Sequence, residues 1–151
     1  MNKKKPSSVS RKQKRILGPK ETKRRDLIAA VRNMLDYDFH YAGVEIEYET
    51  DHDECDEDDY HRNCRIRDVQ VVNVDTKYII DKIAACFEDI HERCQATRIL
   101  TESSALSNRD NYETEIGGDY YGDEIHGVKL NKDIQQDLLD KICATIKAMQ
   151  P

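Results

Sequence analysis

Two hydrophobic periods alternate along the 151 residues and predict an α+β domain. The expected body is a small antiparallel sheet of about four strands packed with three helices, preceded by a flexible basic arm. Apolar stripes of helical spacing recur near the start, in the middle and at the end of the chain. Between them, apolar residues alternate strictly with acids, the mark of a half-buried strand. The third observation is a charge division. Residues 1–25 hold eleven Lys or Arg against one acid, Glu21, and the other 126 hold thirteen bases against twenty-nine acids. Charges of +10 and −16 therefore underlie the modest net charge of −6. We divide the chain into an arm, 1–19, and a single acidic domain, 20–151.

The arm groups its cations as Lys3, Lys4 and Lys5, then Arg11, Lys12, Lys14 and Arg15, then Lys20, Lys23, Arg24 and Arg25. Pro6, serines and Gly18-Pro19 punctuate it. So few apolar residues cannot offset the entropy of ordering, so the segment is expected to be mobile when unbound. Pro19 suits a helix start, and Leu27, Ile28, Val31, Met34 and Leu35 then form a stripe that predicts a helix over 20–36. Lys23, Arg24 and Arg25 have the wrong sign for its first turns, which points to a role in binding.

Val44-Glu45-Ile46-Glu47-Tyr48-Glu49-Thr50 is the first strand, with a glutamate face in solvent. Cys64–Val74 is the second, its apolar parity shifting as at a bulge. Asp75 or Thr76 starts a helix expected to run through Cys94, burying Ile79, Ile80, Ile83, Phe87 and Ile90. A short strand is expected at 97–101. Tyr112, Thr114 and Ile116 form a third strand, Gly117-Gly118-Asp119 a turn, and residues 120–128 a bent returning strand. Asn131 caps the last helix, with Ile134, Leu138, Ile142, Ile146 and Met149 inward.

His52, Cys55, His61 and Cys64 bring four zinc-type ligands within 13 residues, in pairs whose two-residue gap can aim both members at one ion. The short central gap, the absence of a turn glycine and the acids between the pairs fit an exposed acidic loop better than a metal site. His91 and Cys94 share one helix face, with Cys94 expected on its buried side. The acids near 51–57 lack the glycine and terminal glutamate of a calcium loop. In the glycine-bearing hairpin, Tyr120 and Tyr121 could anchor a partner, and His126 beside Asp123 and Glu124 is the best acid–base candidate. No nucleophile elbow or phosphate-cradling loop occurs, so no catalytic residue is assigned and an enzyme is not expected.

No apolar run approaches membrane-spanning length, and no apolar core follows the N-terminal charge as in a secretory leader. Five cysteines in a Lys-rich chain fit a reducing, intracellular setting, cytoplasmic or nuclear. The leading expectation is a nucleic-acid-associated accessory protein whose arm contacts phosphates and whose body docks a protein partner. A second is an acidic inhibitor of the kind found in phages and mobile elements, with Glu45, Glu47 and Glu49 imitating nucleic-acid charge before a basic cleft. Ten acids lie in residues 45–59. A third is a zinc-stabilised binding module.

Overall fold

The structure is a computed structural model that describes residues 18–51, 64–119 and 122–149. Its elements are α1 (Pro19–Leu35), β1 (Val44–Asp51), β2 (Arg65–Val74), α2 (Thr76–Ala84), α3 (Ile90–Ser103), a 3₁₀ turn (Arg109–Asn111), β3 (Tyr112–Asp119), β4 (Gly122–Leu130) and α4 (Lys132–Ala148). The architecture is α+β, but the expected single four-stranded sheet is two separate antiparallel hairpins, β1–β2 and β3–β4, and four helices replace three.

The hairpins meet at one isolated parallel bridge, Cys64 to Gly122. There the Asp123 N–H donates to the Cys64 carbonyl (2.8 Å) and the Ile66 N–H donates to Asp123 Oδ2 (3.0 Å). A carboxylate thus takes the donor that a neighbouring strand would need to extend the ladder, so sheet pairing stops after one step.

The parity shift in β2 has two causes. Glu45 pairs with Asn73 but Ile46 with Val71, leaving Val72 extra; Glu47 pairs with Gln70 but Glu49 with Arg67, and Asp68 there has φ 54°. These bulges keep Val44, Ile46 and Thr50 opposite Val74, Val71 and Ile66, and the glutamates opposite polar residues.

The helix expected through Cys94 is broken. α2 ends at Ala84, Phe87 turns fully into the core, and Asp89 caps α3 by accepting from the Glu92 N–H (2.9 Å). Arg93 Nε donates to the Phe87 carbonyl (2.8 Å) and holds the corner. Ile90, assigned to the buried stripe, is 59% exposed. The strand expected at 97–101 is instead the second half of α3, where Ala96 and Leu100 are buried. Thr97 and Thr101 fit the helix by donating their hydroxyls to carbonyls one turn back. The turn expected at 117–119 lies within the ladder, since Gly117, Gly118 and Asp119 pair with Glu124, Asp123 and Gly122. Glycine is needed there because a Cβ at Gly117 would enter the His126 ring and one at Gly118 would meet the Asp123 carboxylate. Asn131 caps α4 as expected, accepting from the Ile134 N–H (3.0 Å).

One core joins Val31 and Leu35 of α1, Ile79 and Ile83 of α2, Leu100 of α3, Val128 and Leu130 of β4, and Leu138, Ile142 and Ile146 of α4. Tyr112 is buried at the base of β3; its hydroxyl donates to the Leu106 carbonyl (2.6 Å), and burial pushes its pKa upward. The connection 36–43 crosses the core on Phe39, which is fully buried. The Phe39 N–H donates to the Val128 carbonyl (2.8 Å), Asp38 Oδ1 accepts from the His40 and Val128 N–H groups (both 2.9 Å), and the Asp75 N–H donates to Gly43 (2.7 Å). Among the described residues no helix is long and apolar enough to cross a membrane.

Asp36 links α1 to α4: Lys132 Nζ (2.9 Å) and Gln135 Nε2 (3.0 Å) donate to Oδ1, and Lys129 lies at 3.8 Å. The Lys132 hydrogen bond, then that of Gln135, holds its carboxyl below the ordinary value despite some burial. A lowered folded pKa contributes stability that is present above the unfolded value of 3.8 and is lost as pH falls through the folded value. Asp36→Asn should therefore destabilise the protein at neutral pH, with the difference vanishing in acid; urea titrations across pH check this. Asp123→Ala should cost about 1–2 kcal/mol and speed amide exchange at Ile66, whereas Asp123→Asn, which keeps an acceptor oxygen, should cost less. Denaturation with site-resolved hydrogen exchange measures both effects.

Candidate functional site

The described surface separates charge by element. On α1, Lys20, Lys23 and Arg25 are exposed and Arg24 is half-buried. Lys20, Lys23 and Arg24 form one wall of a cleft of about 510 Å³ between the start of α1 and the α2–α3 corner. Glu88, Asp89 and Glu92 form the opposite wall, with Leu27, Ala30 and Cys86 between them. Asp26 shares the α1 wall, so four carboxylates and three cations line the cleft. Burial raises the pKa of the Cys86 thiol, which keeps it protonated and unreactive at neutral pH. The arm cations Lys3, Lys4, Lys5, Arg11, Lys12, Lys14 and Arg15 lie outside the described residues.

On β1, Glu45, Glu47 and Glu49 are exposed as the alternation requires. Their cross-strand neighbours are Asn73, Gln70 and Arg67. Arg67 Nε lies 3.1 Å from Asp51 and its Nη2 3.9 Å from Glu49, so one cation partly offsets the outer end of the row. Glu45 and Glu47 have no cation among the described residues. A hydrogen bond with the Asp68 carboxyl, brought close by the bulge, raises the Glu49 pKa against the opposing pull of Arg67.

Of the four zinc-type residues only Cys64 is described, at the junction of the hairpins; His52, Cys55 and His61 lie outside the described residues, as do Tyr120 and Tyr121. His91 and Cys94 are both exposed on the first turn of α3, so Cys94 does not face the core as expected. No three metal-binding side chains cluster among the described residues. The acid–base candidates are separated in role. Asp123 carries the clip to Ile66, with Arg65 Nη1 at 3.8 Å from Oδ1, while His126 Nε2 stands 3.8 Å from Glu124 on an exposed surface. His126 is the extra residue of a bulge opposite Glu115 and Ile116, which seats its ring over Gly117. Ser103 terminates α3, donating its hydroxyl to the Leu100 carbonyl.

Two features escaped sequence reasoning. One is the structural use of Asp123. The other is the 36–43 connection, whose tip carries Tyr41 with 89% of its surface exposed and its ring 5.0 Å from that of His40. Its only sequence signal is an aromatic-rich interval, Tyr37 to Tyr41, outside every periodic segment. No family model matches the chain, and no curated protein or solved structure is significantly similar to it.

Proposed function

We propose that this is a non-enzymatic, nucleic-acid-associated accessory protein of the cell interior. Its basic arm contacts phosphates, and its acidic body docks a protein partner. The observation that carries this reading is the division of charge, +10 over residues 1–25 and −16 over the rest. The cations continue on to α1, where Lys20, Lys23 and Arg25 stand in solvent and Lys20, in the first turn, opposes the helix dipole. Phosphate contacts would offset that cost. A non-catalytic role fits the engagement of Asp123 in joining the hairpins.

A second reading is favoured by the exposure of Glu45 and Glu47 without a neighbouring cation. On this account the β1 face occupies a basic cleft and acts as an inhibitor. The two readings use different segments of the chain and are compatible.

The arm is tested by salt. If about six phosphates are neutralised, affinity for a nucleic acid should fall roughly 10³-fold between about 50 and 200 mM salt. Deleting residues 1–17 removes seven of the eleven bases and leaves every described element in place. The shortened chain should bind more weakly with a shallower salt slope; equal binding by both forms at low salt would overturn the reading. For the acidic face, Glu45→Lys with Glu47→Lys should leave stability within about 0.5 kcal/mol. Association with a basic partner should slow, as stopped-flow mixing would show, and an unchanged rate across salt would remove this face from consideration.

A further inference from the structure

We infer that Tyr41, backed by His40, is a stacking platform for unpaired bases of a single-stranded nucleic acid. This rests on the nucleic-acid reading above and adds to it the form of the ligand.

The argument begins with the rigidity of the connection that carries Tyr41. Phe39 is buried beneath it, its N–H and carbonyl are bonded to Val128 and Val44, Asp38 holds both His40 and Val128, and Gly43 is bonded to Asp75. A segment tied at so many points orders its tip, yet that tip places a large aromatic ring in water where it adds nothing to the core. The core makes no use of Tyr41, and its ring is left free for a ligand.

The shape of the tip selects among ligands. Tyr41 and His40 lie at 5.0 Å with ring planes 40° apart, so His40 supports one side of Tyr41 and the other side is open. A protein anchor residue works by entering or framing a desolvated pocket, whereas this ring stands 89% exposed. Base stacking needs only an open π face and a nearby cation. A cation at the foot of the same connection is Lys82, whose Nζ lies 4.5 Å from the Tyr37 ring centre and 5.7 Å from that of Tyr78. Lys82 has no carboxylate partner among the described residues. The neighbouring acids are engaged: Asp38 by two N–H groups, Asp75 by the Tyr78 N–H and Asp81 by Lys77 at 2.6 Å. α1, about 25 Å long, separates this tip from the cations at its start. A strand of several nucleotides can therefore contact both, with phosphates at one end and a stacked base at the other.

The test uses the full chain, a labelled oligothymidylate and an oligouridylate about 16 nucleotides long, and a duplex of the same length. Anisotropy titrations compare wild type, Tyr41→Ala, Tyr41→Phe and the 1–17 deletion. Tyr41→Ala should weaken single-strand binding about ten-fold, leave the salt slope and duplex affinity unchanged and melt at the wild-type temperature. Tyr41→Phe should retain wild-type affinity. Single-strand affinity that is unchanged in Tyr41→Ala, while the arm deletion still weakens it, would overturn the platform and leave the arm's role standing. Equal losses on single strand and duplex would overturn it as well, as would unchanged oligonucleotide affinity with loss of binding to a purified protein partner. If wild type binds no probe at low salt, the functional reading and the platform fall together.

Discussion

The structure depends on the attachment of the 36–43 connection to β4. Neither hairpin shares a ladder with the other beyond one bridge, and an isolated two-stranded sheet is marginal in water. What unites the two halves of the chain is Phe39 in the core and the paired bonds of Asp38 and Phe39 to the N–H and carbonyl of Val128. They fix α1, the base of β1 and the end of β4 in one frame, around which the helices close. Gly127 makes the approach possible, since a Cβ there would lie 3.2 Å from the Asp38 carboxylate. With that frame set, Val44 and Tyr112 are buried at the bases of β1 and β3, and the strands' described far ends, Asp51 and Asp119, are exposed.

Where local pattern and tertiary demand agree, the sequence was legible. Helices α1 and α4, the Pro19 start of the first and the Asn131 cap of the second, the glutamate face of β1 and the bulged parity of β2 all follow from the sequence pattern. The corner at 85–89 did not, because Ile79, Ile83, Phe87 and Ile90 continue one helical period through it. Phe87 is buried by a turn and Ile90 is left outside. Thr97 to Thr101 looked like strand because β-branched residues alternate there, and the helix absorbs them through hydroxyl bonds that no pattern shows. Gly117-Gly118 resembled a turn, whereas those glycines make room for side chains from the opposite strand.

The candidate site was partly legible for the same reason. Charge division is compositional and can be read directly, and the exposure of Lys20, Lys23 and Arg25 on α1 and of the β1 glutamates agrees with it. The role of a single carboxylate or ring depends on long-range contacts. Asp123 is next to His126 in the sequence pattern but is held by Ile66, 57 residues away. Tyr41 lies in a connection whose order comes from β4, almost ninety residues on in the chain.

The acids along the strands have one further consequence. Short two-stranded sheets present unpaired backbone edges, which invite pairing with another molecule of the same chain. β1 carries Glu45, Glu47, Glu49 and Asp51, and β3 carries Glu113, Glu115 and Asp119. Two such edges brought together would face rows of like charge across less than 5 Å. The hairpins are thereby guarded against self-association, and the same repulsion becomes attraction when the approaching strand is basic. A fold with its backbone this open to solvent tolerates it through charge, and selects its contacts by sign before shape.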